Sequence, residues 1–326
     1  MNYRPLGSTG LTVSEVGFGT WGIGGAANGS VSYGPTDDAE SSRALRRAFD
    51  LGITFYDTAD LYGYGHSEAL LGNTFKGMRD RVVIASKVGF LNQNGAQDFS
   101  PAHIRRSIDR TLVRLQSDYV DLYQLHDPHM EVIQNPTVCA TLAALQTEGK
   151  IRAYGISVRH PNDGLIAVSK LGFRALQVNF NMVDQRPVEI GLFDLCRAQN
   201  VGVIGRTPLC FGFLTGKYSV SSDFHVQDHR SRWSPEQIEK WSGAFKVFRS
   251  SGSFRGQTDT QIALRYCLSY PELSTTIPGM LSEREVEENV NAVITGPLPS
   301  HEREQIEAIY RTQDFYVGVP SSLKQP

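Results

Sequence analysis

The chain has 326 residues, 40% hydrophobic and 20% charged, with 32 Lys and Arg against 34 Asp and Glu and a formal net charge of -2. That balance gives no support to a nucleic-acid or membrane surface, and no apolar run approaches the roughly 20 residues needed to cross a bilayer. The start of the chain lacks the apolar run of a signal peptide. Its four cysteines, Cys139, Cys196, Cys210 and Cys267, are far apart and without metal-ligand spacing, so they are expected as free thiols of a cytoplasmic protein that holds no metal.

In chain order, YRPLG and LTVSEVGFG flank the turn Gly7-Ser8-Thr9-Gly10 and predict an N-terminal β-hairpin. Short β-rich apolar runs then alternate with longer amphipathic segments. The runs are Val16 to Gly19, Ile53 to Asp57, Val82 to Lys87, Val120 to His126, Arg152 to Ser157, Ala175 to Asn179, Val201 to Arg206 and Leu273 to Pro278. Helices are expected over Asp37 to Leu51, from Ser100-Pro101 to about Leu115, and over Pro136 to Gly149, with Ser100 as N-cap and Pro101 in the first turn. Further helices are expected over Pro235 to Arg249, near Thr258, and over Ser282 to Val293 and Ser300 to Thr312. Eight βα units predict an α/β fold, a (β/α)8 TIM barrel spanning 1–326 as one domain, with extra helices and loops on the C-terminal face. The glycine-rich VGFGTWGIGG lacks the GxGxxG that opens a helix in dinucleotide-binding sheets. The interval 218–257 breaks the rhythm, and an insert of that length in a barrel is expected to lie over the C-terminal face as a lid. The tail PSSLKQP is expected to be mobile.

Active sites of such barrels lie at the C-terminal strand ends. The second, third and fourth strands end in Asp57, Lys87 and His126, and Tyr62 follows Asp57 on the outgoing loop. Each alone has a plain explanation as a rim charge or a structural histidine. Together, on consecutive strand ends, they suit carbonyl reduction. A tyrosine can give the carbonyl oxygen its proton, although its unperturbed pKa is about 10. A neighbouring Lys87 ammonium, held by Asp57, favours the phenolate and is expected to lower that value. His126 is expected to donate a hydrogen bond to the same oxygen.

The stretch FYDTADLYGYGHSEALLG resembles the signature of the aldo-keto reductase superfamily. The resemblance extends over PLGSTGLTVSEVGFGTWGIGG, LYQLHDP, GKIRAYGIS, PLCFGFLTGKY and IPGMLSEREVEENV, nearly the whole chain. Within the superfamily the chain is similar to the bacterial oxidoreductase branch that also resembles potassium-channel β subunits. The resemblance implies an NAD(P)-dependent oxidoreductase acting on an aldehyde, ketone or sugar-like substrate. Asp57, Tyr62, Lys87 and His126 would be catalytic. Gly19, Thr20 and Trp21 would line the nicotinamide pocket with Asp57, and Ser157 and Gln177 would hold the carboxamide. Val158 stands where Asn is common, so that contact is either missing or made by Asn179. Arg206 would lie against the nicotinamide, where relatives often carry an aromatic. Backbone amides of Pro208, Leu209 and Gly212 would meet the pyrophosphate, with charge from Lys217. Gly279, Leu281, Ser282, Glu285, Glu288 and Asn289 would receive the adenosine end. Trp21, Tyr62, Phe90 and His126 would touch substrate, with Tyr33, Trp233 and His229 as further walls. Arg230 and Arg232 leave a sugar nucleotide open.

The family favours NADP(H), but Leu281 and Glu285 stand where relatives usually place Arg, Lys or Gln. A carboxylate repels a 2′-phosphate and accepts hydrogen bonds from free ribose hydroxyls, which brings NAD(H) into contention, with Arg284 able to compensate. Two other readings are a Schiff-base lyase using Lys87 and a non-catalytic nicotinamide-binding regulatory subunit. Channel β subunits typically carry Asn where this chain has His126, which favours turnover.

Overall fold

The computed structural model describes residues 1–250, 254 and 256–318. The tail PSSLKQP and part of the 218–257 insert lie outside the described residues. A hairpin of β1 (Tyr3–Pro5) and β2 (Thr12–Ser14), paired antiparallel, precedes eight parallel strands. These are β3 (Phe18–Gly19), β4 (Phe55–Asp57), β5 (Val83–Val88), β6 (Val120–His126), β7 (Ile151–Ser157), β8 (Ala175–Asn179), β9 (Gly202–Arg206) and β10 (Leu273–Ile277). They pair in sequence order, and the sheet closes through parallel bridges Val16 to Thr276 and Gly19 to Gly279. The result is the expected (β/α)8 barrel. Four strands are shorter than their apolar runs, β3 and β4 by two residues and β9 and β10 by one. Ile53 precedes β4, and Val16 joins the barrel only through its single bridge.

The helices are α1 (Asp38–Asp50), α2 (His66–Thr74), α3 (Pro101–Leu115), α4 (Met130–Ile133), α5 (Pro136–Thr147), α6 (Pro161–Leu171), α7 (Arg186–Glu189), α8 (Leu192–Ala198), α9 (Pro235–Arg249), α10 (Asp259–Leu268), α11 (Glu283–Thr295) and α12 (Ser300–Thr312). Their starts are chemically marked, because the first N–H groups of a helix need acceptors. Ser100 Oγ accepts from His103 N–H, Ser234 Oγ from Gln237 N–H, and Thr258 forms a capping box with Gln261. No helix among the described residues is long and apolar enough to cross a membrane.

The hydrophobic interior divides in two. The larger cluster lies between strands and helices, and a smaller one fills the barrel's N-terminal end. In that end, Leu6, Leu11 and Val13 from the hairpin pack against Phe55, Leu122, Ile204 and small Ala85, Ala153 and Ala175. The hairpin is therefore a plug, which leaves the C-terminal mouth as the open end.

Candidate active site

Strand register assembles the floor of that mouth. Gly19 pairs with Asp57, Lys87 with Gln124, His126 with Ser157 and Ser157 with Gln177. Lys87 is fully buried. Its Nζ donates to Asp57 Oδ1 at 2.5 Å, to Thr58 O at 2.8 Å and to Tyr62 Oη at 3.2 Å. Asp57 Oδ2 accepts from Gln177 Nε2 at 2.7 Å and Gln124 Nε2 at 3.2 Å. Every oxygen of the carboxylate is thus engaged, as a buried charge requires. The short connection from Asp57 to Tyr62 is tied to β5 by Thr58 N–H donating to Ala85 O, which sets Tyr62 over the ammonium.

Burial pulls the Lys87 ammonium down, but Asp57 and Tyr62 outweigh it and hold the pKa above its usual value. Burial pushes the Tyr62 phenol up, and the opposing pull of Lys87 does not cancel it. The expected net acidification of Tyr62 is therefore corrected. Lys87 acts in the foreseen direction, yet desolvation wins and the phenol stays protonated at neutral pH. His126 is buried and its pKa falls to about 3, through burial first, with Asp127 opposing and Lys87 and Arg206 assisting. It is a neutral imidazole. Its ring lies edge-on to Tyr62 at 6.0 Å and to Phe90 at 4.9 Å between centroids.

A cavity of about 440 Å³ opens above this floor. Tyr62, His126, Phe90, Asp57 and Gln177 line it, with Gly19, Thr20 and Trp21 on one side. Arg206, Pro208, Leu209, Gly212 and Lys217 follow β9 along its wall, and Gly279, Leu281, Glu285, Glu288 and Asn289 form the end beyond β10. Tyr33 and His229 also line it, their rings tilted against Trp21 at centroid distances of 5.2 and 4.6 Å. The described part of the insert reaches the mouth here, where His229 N–H donates to Ser32 O at 2.9 Å.

Several expected contacts fall elsewhere. Ser157 is buried beside the cavity rather than lining it, its Oγ donating to Gln177 Oε1 at 3.3 Å. Ser282 is the N-cap of α11, accepting from Glu285 N–H. Trp233 packs behind the wall against Phe211 and Trp241. Asn179 accepts from Thr207 Oγ1 and does not line the cavity. Pro208 has no N–H to offer, and the Gly212 N–H already donates to Leu209 O at 2.9 Å. Of the three expected amides only Leu209 remains. Lys217 Nζ pairs with Glu285 Oε1 at 2.8 Å, while Glu285 Oε2 accepts from Leu281 N–H at 2.9 Å. Arg230 is committed to Asp228 at 2.6 Å beneath the Tyr33, Tyr218 and Phe224 rings. Arg232 is exposed and lines the mouth, whereas Arg284 does not line the cavity.

The sequence reading passed over Gln124, which sits two positions before His126 on the same strand face and so had to point inward beside it. It also passed over Thr260. Asn289 Nδ2 and Thr260 Oγ1 are buried without a hydrogen-bond partner among the described residues and belong to residues lining the far end of the cavity. Thr207, Cys210 and Phe211 hold positive φ along the same wall, a strain found where backbone is shaped for a ligand.

The aldo/keto reductase family model matches residues 15–311. The chain is 33% identical over 299 residues to L-galactose dehydrogenase of Arabidopsis thaliana, covering 89% of this chain and 87% of that one. It is 30% identical over 321 residues to the uncharacterized oxidoreductase YqkF of Bacillus subtilis, covering 97% and 98%. Among solved structures it superposes on the holo form of aldo-keto reductase AKR11C1 from Bacillus halodurans with a TM-score of 0.78 at 31% identity, covering 95% and 96%. The chain belongs to the aldo/keto reductase family. It is an NAD(P)-dependent oxidoreductase of that family.

Proposed function

We propose that the chain reduces a small aldehyde, ketone or sugar-like carbonyl at the floor formed by Asp57, Tyr62, Lys87 and His126. One observation carries the reading: a fully buried ammonium bridges Asp57 Oδ1 and Tyr62 Oη beneath the cavity. Tyr62 is the general acid. Its phenol stays protonated until the carbonyl oxygen needs the proton, and the Lys87 ammonium then stabilises the phenolate left behind. Asp57 keeps Lys87 charged and fixed, and Gln124 and Gln177 keep Asp57 fixed. Neutral His126 donates to the carbonyl oxygen and orients it against Tyr62. Trp21, Phe90, Tyr33 and His229 give the substrate a largely aromatic wall.

The orphaned Asn289 amide and Thr260 hydroxyl, and the strained wall after β9, fit an adenosine and pyrophosphate group running from the floor to α11. NAD(P)H, when bound there, supplies the hydride. Arg206 and Gln177 would face the nicotinamide, Leu209 N–H and Lys217 the pyrophosphate, and Leu281, Glu285, Glu288 and Asn289 the adenosine. The Glu285 carboxylate neutralises Lys217 at that end, and Arg284 stands off the cavity. This supports NAD(H) over the NADP(H) that the family puts first. A Schiff-base lyase needs a free, accessible amine. Lys87 is neither, since its three hydrogen bonds leave it charged and enclosed.

Fluorescence titration of the purified chain with NADH and NADPH tests the reading. Tighter binding of NADH is expected. Tighter NADPH binding would overturn the assignment of Glu285, and failure to bind either would overturn the proposed function.

A further inference from the structure

The polar floor does not balance in charge. Its cations are Lys87, Arg206 and Arg159, and its anions are Asp57 and Asp127. Tyr62 is a neutral phenol and His126 a neutral imidazole. Asp57 is spent on Lys87 at 2.5 Å. Asp127 serves two guanidiniums, Arg206 Nη2 at 3.3 Å from Oδ1 and Arg159 Nε at 3.9 Å from Oδ2. One carboxylate cannot neutralise both, so a net positive charge remains at the rim of β6, β7 and β9.

Arg206 is placed to deliver that charge into the cavity. It stands at the C-terminal end of β9, lines the cavity beside Gln177 and Pro208, and reaches across to donate to Val158 O at 3.0 Å. Its Nε is buried with no hydrogen-bond partner among the described residues. Asp127 is held rigidly opposite, with a left-handed φ of 47° and its carbonyl accepting from Gln97 Nε2 at 3.1 Å. The guanidinium is therefore fixed, planar and always charged.

The proposed function brings a nicotinamide to this wall, and the following rests on that reading. The oxidised ring carries a fixed positive charge and the reduced ring carries none. We infer that Arg206 makes the site discriminate between the two oxidation states of its cofactor, holding the reduced form more tightly than the oxidised one and so easing release of the oxidised form. Each turnover moves a hydride to the carbonyl carbon and a proton from Tyr62 to the oxygen, leaving an alcohol and the oxidised nucleotide. A cation facing that nucleotide weakens its hold on the site and so hastens its departure after turnover.

The test is the ratio of the dissociation constants of oxidised and reduced cofactor, measured by calorimetry for the wild type, Arg206→Gln, Arg206→Lys and Asp127→Asn. The wild-type ratio is expected well above one. Arg206→Gln should lower it about tenfold or more, between the water-like and protein-like limits for a unit charge close to another. Arg206→Lys keeps the charge and should leave the ratio near the wild-type value. Asp127→Asn removes a negative charge and should raise the ratio, an independent reading should Arg206→Gln fail to fold. A purely structural Arg206 would move both constants together. A ratio unchanged in Arg206→Gln and Asp127→Asn, with both forms still binding, overturns this inference and leaves the proposed function standing. No binding of either form to the wild type overturns both.

Discussion

At the N-terminal end of the barrel, Leu6, Leu11 and Val13 meet Phe55, Leu122 and three alanines in a wholly apolar plug. At the C-terminal end of the same strands, Asp57, Lys87, Gln124 and Gln177 form a hydrogen-bonded polar floor with as little exposure. Both ends are buried, but they are stabilised differently. The plug is held by transfer of apolar surface and tolerates loss of a methyl group at a cost proportional to the cavity left. The floor is held by complete pairing of charges, and removing one partner strands the other. The comparison separates the residues that keep the barrel closed from those that act in it.

The largest effect should come from Lys87→Met. It leaves Asp57 buried and unpaired, a loss of about 3–5 kcal/mol, and it removes the group that supports Tyr62. Urea unfolding and carbonyl-reduction assays should therefore fail together. Next is Leu6→Ala at the plug, with about 2–5 kcal/mol lost in urea unfolding and a near wild-type kcat in the protein that remains folded. A large fall in kcat with stability unchanged would show that the two ends are not independent.

The smallest effect is in pH. His126 stays neutral in the fold down to about pH 3, whereas an unfolded histidine takes up a proton near 6.5. Between those values the unfolded state binds more protons. Stability present above pH 6.5 is therefore lost as pH falls, by at most about 1.4 kcal/mol per unit. His229, lowered to about 4 mainly by burial, adds to the loss in the same direction. Unfolding at pH 5 and pH 7 should show a shallower slope for His126→Asn than for the wild type. An equal slope would mean that His126 is already charged in the fold.

The barrel was legible because its strands are apolar and β-rich and because α3, α5, α9 and α10 begin at strong caps. Helix α2 was not foreseen. It buries Ser67, Glu68 and Thr74 along with Leu70 and Leu71, so no single apolar face marks it. Its polar side chains find partners far along the chain, as Glu68 does with Arg114 at 2.5 Å, Thr111 at 3.0 Å and Ser86 at 2.5 Å. Asp57, Tyr62, Lys87 and His126 were legible because each sits at, next to or just beyond a strand end. Gln124 was not, because its partner Asp57 lies 67 positions away and only the register brings them together. The pairing of Lys217 with Glu285, across 68 positions, was hidden for the same reason. The net direction of the Tyr62 shift was misjudged because desolvation depends on packing, which a motif does not display.

The most direct test of the account is single-turnover reduction of a test aldehyde by Tyr62→Phe with cofactor already bound. The expected result is a rate lower by about 10²–10⁴-fold, with the dissociation constant of the reduced cofactor and the urea midpoint close to wild type. Reduction at the wild-type rate would contradict the assignment of Tyr62 as the acid, and with it the reading of the Lys87 bridge as catalytic machinery.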